Sequence, residues 1–149
     1  MDLSNICLIV AALMALTGMA MGIYMGTAQD FTLAPAHAHL NLVGWVTMAI
    51  YGLYHRSNTA SARRLRWVQV ILGGLGAPAM AGGLALLLTS PTGSELHSRG
   101  EASIIVGSLL AMLSMLLFVV IVISDLIRAA RMRSRRRQWG MPDVDPVSG

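Results

Sequence analysis

The sequence predicts an all-α integral membrane protein: four transmembrane helices with both termini inside, packed as an antiparallel bundle or arc. Three observations carry that expectation. The 149 residues are 55% hydrophobic and only 12% charged, about half the charge of a soluble domain, and the mean hydropathy is +0.64. The apolar residues gather into four runs, each about long enough to cross a bilayer as a helix. Every basic residue is an arginine, and all but Arg99 lie in two segments, one after the second run and one after the fourth. The pI of about 10.2 therefore reports membrane topology. The arginines are not spread over an amphipathic surface, so no nucleic-acid partner is expected.

The first span is expected over about 6–26. A cleaved signal peptide is the alternative, but Met1 to Asn5 contains Asp2 and no basic residue, so a retained span is the better reading. Gly18, Gly22 and Gly26 recur every fourth position, a stripe that lets another helix approach closely, although glycine is common in membrane helices anyway. Cys7 has no partner for an intrachain disulfide and reads as small apolar filler. The chain has no Cys-x-x-Cys-His, which excludes covalent c-type haem attachment.

A polar turn over 27–35 leads to Pro35, which suits the first turn of a helix, and the second span follows over about 36–55. The loop 56–66 contains Arg56, Arg63, Arg64 and Arg66 and no acid. The third span, about 67–88, contains Pro78 among Gly73, Gly74, Gly76, Gly82 and Gly83. That composition predicts a kinked, closely packed helix, thin enough on one side to leave room for a flat ligand. A second polar turn, 89–100, contains His97 and Arg99. Glu101 then opens the fourth span, about 102–127, where a carboxylate complements the helix N-terminus. Arg128, Arg131, Arg133, Arg135, Arg136 and Arg137 follow. The four spans form one membrane domain over 1–138, and 139–149 reads as a disordered cytoplasmic tail.

The two arginine-rich segments belong on one side, and the positive-inside rule makes that side the cytoplasm. A multi-pass protein of a bacterial inner membrane is the expectation. His37, His39 and His97 then lie toward the outer side and His55 at the inner edge.

At 100° per residue, His37, Asn41, Gly44, Met48, Tyr51 and His55 share one face, which should point into the bundle. His39 lies roughly opposite, above Val46, Ile50 and Leu53, on a face otherwise suited to lipid. Interfacial water would satisfy a histidine near a helix end, and that bland account covers His55 beside Arg56. His37 and His55 are about 27 Å apart along the axis and cannot ligate one centre. Nor can His37 and His39 chelate one metal, because a His-x-His pair on a helix sends its rings to different sides, unlike an i, i+4 pair. Two separate ligand positions fit better, and haem iron accepts a neutral imidazole as axial ligand.

Ala36-His37-Ala38-His39-Leu40, continued by Tyr51-Gly52-Leu53-Tyr54-His55 on the same helix, resembles the tenth helix of the catalytic subunit of haem–copper oxidases. The resemblance covers roughly twenty of the 149 residues. It implies haem b as cofactor, with His37 corresponding to the high-spin haem ligand and His39 to the low-spin ligand. By position it makes Asn41 and Gly44 part of the cofactor face. The family's subunit has about twelve spans and places its copper histidines on other helices. Here the first, third and fourth spans contain no histidine, which argues against oxygen reduction by this chain alone. The family's three four-helix arcs imply that a four-span relative assembles as a homo-oligomer, with a trimer favoured. The glycine stripe and the His39 face would supply its contacts, and a neighbour's histidines or His97 the missing ligand.

The leading expectation is thus electron transfer or haem-linked gas binding, with a redox partner or a larger oxidase beside it. The alternatives are a cofactor-free accessory or assembly subunit of a respiratory oxidase, and a copper-binding membrane protein using His37, His39 and His97 with nearby methionines. A transporter has less support, since Asp125 is the only acid within a span, close to the arginine tail, and no paired carboxylates suggest an ion relay. Hydrolase chemistry has no nucleophile–base pair to point at.

Overall fold

A computed structural model describes residues 2–57 and 63–138, and every element within them is helical. The first helix, α1, runs Leu3–Ala28. Gln29 closes it in the left-handed conformation, φ 53°, with its N–H on Met25 O. The next turn is built by Asp30, whose Oδ1 accepts the Thr32 N–H at 2.9 Å and the Thr32 hydroxyl at 2.6 Å. Those two bonds hold the Asp30 carboxyl below its ordinary range and fold the chain back as an Asx turn does.

Pro35 then sits in the first turn of α2, Ala34–His39. The chain stays helical through a π-helical segment, Leu40–Val46, and through α3, Thr47–Ser57. Sequence periodicity gave no sign of the π segment. Its wider turn frees backbone carbonyls, and the Thr47 hydroxyl donates to one of them, Leu42 O, at 3.1 Å.

Two long helices follow, α4 over Arg63–Thr89 and α5 over Glu95–Gln138. Arg56 lies in the last turn of α3 and Arg63 opens α4, so the expected arginine loop is helical where it is described. The expected polar turn 89–100 is also shorter than supposed. The helix starts at Glu95, and Ser94 Oγ accepts the His97 N–H at 3.2 Å. The acid at the helix N-terminus is therefore Glu95 and not Glu101. At its other end α5 continues through the arginines instead of stopping near 127. Its 44 residues span about 66 Å, more than the roughly 40–45 Å of a whole bilayer. The tail expected to be disordered, 139–149, lies outside the described residues.

Among the described residues three helices are long and apolar enough to cross a membrane: Leu3–Ala28, Arg63–Thr89 and Glu95–Arg136. Their outward faces are lined by Leu13, Ile23, Leu109, Leu116 and Ile123, far more exposed apolar surface than a soluble monomer tolerates and compatible with lipid contact. The second run is divided into segments of 6, 7 and 11 residues.

Glycines set the packing. Along α1 and the second run, Gly18 meets Asn41, Gly44 meets Met14 and Gly52 meets Cys7, an antiparallel register. Between α4 and α5 the approach is backbone to backbone. A Cβ on Gly76 would lie 2.7 Å from Ala111 N, and one on Gly83 would lie 2.8 Å from Gly100 O and Ile104 N. Removing side chains from both surfaces is what lets membrane helices gain this much contact. The opposite side of α4 behaves differently. A Cβ on Gly82 would touch nothing within 4 Å, and Pro78, Ala81 and Gly82 border an apolar groove of about 350 Å³ shared with Leu13, Met14 and Leu40. One side of the helix is thin to pack, and the other is thin and open.

Candidate functional site

The histidine stretch enters the fold between α1 and α4. His37 Nδ1 lies 2.8 Å from Gly18 O on α1. A carbonyl only accepts, so Nδ1 bears the hydrogen and Nε2 carries the lone pair. Asn41 Nδ2 donates to His37 O at 2.9 Å. Its 3.3 Å approach to His37 Nδ1 sets two N–H groups together and is not a second bond. The glycine stripe of α1 makes these contacts fit. A Cβ on Gly22 would come within 3.2 Å of His37 Cε1, and one on Gly18 would run into the Asn41 side chain. Gly18 and Gly22 therefore seat His37 and Asn41 of the same chain and are closed to a neighbouring subunit, contrary to the contact role expected for the stripe. Only Gly26, with nothing within 4 Å, stays open.

His39 is held differently. Its Nδ1 lies 2.7 Å from Pro35 O, one turn back on its own helix. The same reasoning leaves Nε2 with the lone pair. The ring is partly exposed, and the face below it is bare: Leu42 is 64% exposed, Ile50 51% and Leu53 58%. The sequence placed His39 on this lipid-suited face, and the structure does too.

Gly44 lies where α1, the π segment and α4 cross, with its Cβ position 2.8 Å from Met14 Sδ and 3.6 Å from Ala77 Cβ. It also marks a division of the predicted inward face. Above it, His37 and Asn41 turn to α1. Below it, Met48, Tyr51 and His55 turn to α4 and α5. Met48 and Tyr51 pack over Gly73, and the Tyr51 ring stacks at a tilt on Phe118, centroids 4.7 Å apart.

His97 stands in the first turns of α5, with Nε2 3.8 Å from Glu101 Oε1 and a buried Nδ1 without a hydrogen-bond partner. Among the described residues no group of three or more His, Cys, Asp or Glu is placed to hold a metal ion. His37, His39 and His97 thus form no chelate within one chain.

The half of the fold around His55 contains a polar cluster that sequence reasoning missed. His55, expected at the interface, is only 4% exposed. Its Nε2–H donates to Gln69 Oε1 at 2.9 Å, Gln69 Nε2 approaches Ser114 Oγ at 3.4 Å, and Ser114 donates to Gln69 O at 2.7 Å. Tyr51 OH stands 3.5 Å from the same serine oxygen, and Tyr54 OH donates to Asp125 Oδ2 at 3.1 Å. Gln69 and Ser114 were readable as lone polar residues in apolar runs, which in a membrane call for partners. Only the fold shows that they partner each other.

Compared with family models, with curated proteins and with solved structures, the chain matches none.

Proposed function

We propose that this chain is a four-span haem-b-binding protein of a bacterial cytoplasmic membrane, serving electron transfer or haem-linked gas binding. In this reading the α2–π–α3 run is the fourth span and the arginine-bearing ends face the cytoplasm. The observation that carries it is the state of the two imidazoles. Each has its Nδ1–H engaged by a backbone carbonyl, which is how proteins fix a ligating histidine with its Nε2 lone pair presented. Haem bound there would supply one-electron or gas-binding chemistry at iron. The chain's own residues do the rest: the carbonyls of Gly18 and Pro35 set ring orientation, and the apolar face around His39 excludes water. His39 is the stronger ligand, because no contact with another helix accounts for it. A second copy covering the bare His39 face would provide the opposite ligand and close the homo-oligomer.

One observation favours a second reading. The His37–Gly18 bond, braced by Asn41 on the His37 carbonyl, already makes a polar clasp between two helices, as expected of a cofactor-free accessory subunit of a larger oxidase. The test is a dithionite-reduced minus oxidised spectrum of purified protein, with haem counted per chain. Haem binding predicts b-type bands that disappear in His39→Ala. Protein expressed with ample haem that carries none would refute the haem reading and leave the accessory one.

A further inference from the structure

α1 and α4 come close at Val10, where a Cβ on Gly74 would lie 4.0 Å from Val10 Cγ1. Beyond that point the apolar groove of about 350 Å³ lies between them and runs to Met21 on α1 and Ala85 on α4. Met14, Leu40 and Ala81, all nearly buried, form its floor. Leu13 also lines it and is 58% exposed, so the groove is continuous with the outward apolar surface that suits lipid. Among the described residues that line it, the polar side chain is Thr17, and its hydroxyl is committed to Leu13 O at 2.9 Å. No described side chain fills the space over Gly82, where a Cβ would meet nothing within 4 Å. Folded interiors leave few such spaces, because a wall with no facing atoms forfeits its dispersion contacts.

The dimensions of the groove decide what can lie there. From Val10 to Met21 α1 rises about 16 Å, and from Pro78 to Ala85 α4 rises about 10 Å. Drawn out over those lengths, the volume gives a cross-section of about 20–35 Å². A helix with its side chains is about 10 Å across, or roughly 80 Å² in section, so a helix of a second copy or of another subunit does not fit. A zigzag of methylenes whose carbons meet their neighbours at about 4 Å occupies roughly 20 Å². One such chain fills the groove and two do not. The length also agrees, since one leaflet of the hydrocarbon core is about 15 Å deep. We propose that this groove binds one unbranched acyl chain of a membrane phospholipid, with the headgroup left outside it. Thr17 has no hydrogen to spare for a polar ligand, and the surrounding bilayer supplies acyl chains at this depth. The groove is lined by none of the histidines of the haem reading and does not depend on it.

The test uses the full chain, delipidated in a neutral detergent, with folding checked by circular dichroism. Dipalmitoyl phosphatidylcholine, whose headgroup carries no net charge for the arginines to attract, is titrated in and the lipid bound per chain is read by native mass spectrometry. Saturable binding of one lipid is expected. Gly82→Leu places a side chain in the groove and should weaken that binding about tenfold, the loss of roughly ten carbon–carbon contacts. Ala85→Leu, on the same wall, should act in the same direction and serves if the first variant does not fold. Leu109→Phe adds bulk on the bare face of α5, outside the groove, and should leave binding within a factor of about two. Diphytanoyl phosphatidylcholine, with methyl-branched chains, should bind about fivefold more weakly, since the added methyls overpack so narrow a space. Absence of saturable binding, no loss in the groove variants, or an equal loss in Leu109→Phe overturns the proposal. Tighter binding of the branched lipid overturns it too, and assigns an isoprenoid chain instead.

Discussion

His37 and His39 lie two positions apart, yet their replacement by alanine should have different consequences for stability. His37 bonds across to Gly18 O on α1 at 2.8 Å, and its ring fills the space above Gly22. An interhelical hydrogen bond in a membrane bundle contributes about 0.6 kcal/mol on average and about 1.7 at most. Loss of the ring from a helix crossing adds a packing defect of about 1 kcal/mol or more. His37→Ala is therefore expected to destabilise by about 1.5–3 kcal/mol. His39 bonds only to Pro35 O in its own turn, on an exposed face. Its loss should cost no more than about 0.5 kcal/mol, the usual range for a surface substitution. The measurement is reversible unfolding in mixed micelles, followed by circular dichroism in samples stripped of haem so that ligand linkage does not enter. Haem occupancy should sort the variants the other way, with His39→Ala losing it outright. If the two variants unfold at the same point, the His37 clasp onto α1 is not a structural bond, and the distinction between the two imidazoles falls.

Two further outcomes test the scaffold. Gly76→Ala is expected to destabilise by up to about 2 kcal/mol, because overpacking a backbone contact costs about 1–3 against about 1 gained in helix propensity, and a Cβ 2.7 Å from Ala111 N lies at the costly end; Gly82→Ala, facing open space, should be neutral or slightly stabilising in the same unfolding assay. Gln69→Leu removes the acceptor for His55 Nε2 and one partner of Ser114, so a loss of about 2 kcal/mol is expected, read as a lowered midpoint in that assay.

How far the sequence showed all this depends on what kind of physics decided each feature. The long apolar helices were legible because bilayer thickness imposes a length and a composition that survive any packing. The half-bare placement of His39 was legible because helical phase alone puts it opposite Gly44 and Met48. The fate of the Gly18–Gly22 stripe was not, since small residues announce a close approach without saying to what, and the answer was His37 and Asn41 of the same chain. His55 was misread for a related reason. Next to Arg56 it looks interfacial, and its burial depends on Gln69 and Ser114, brought in from helices whose register against α3 no local pattern specifies. The early start of α5 at Glu95 turns on Ser94 capping the His97 N–H, a short-range signal hidden in a stretch that otherwise reads as a polar turn.

The π segment has a consequence for how such a chain can change over time. A π turn inside an α-helix is equivalent to one inserted residue, and it separates the helix into halves that can be re-indexed. Rewinding Leu40–Val46 as plain α-helix with every residue kept would turn the Ala34–His39 half by about 100° relative to Thr47–Ser57. His37 would leave Gly18, and since His39 lies about 200° round from it, neither ring would then meet α1. Met48, Tyr51 and His55 would keep their places against α4 and α5. The orientation of His37 and His39 is thus an indexing choice stored in the π turn, separable from the packing of Met48, Tyr51 and His55, and a one-residue deletion there would return plain α geometry with that orientation kept.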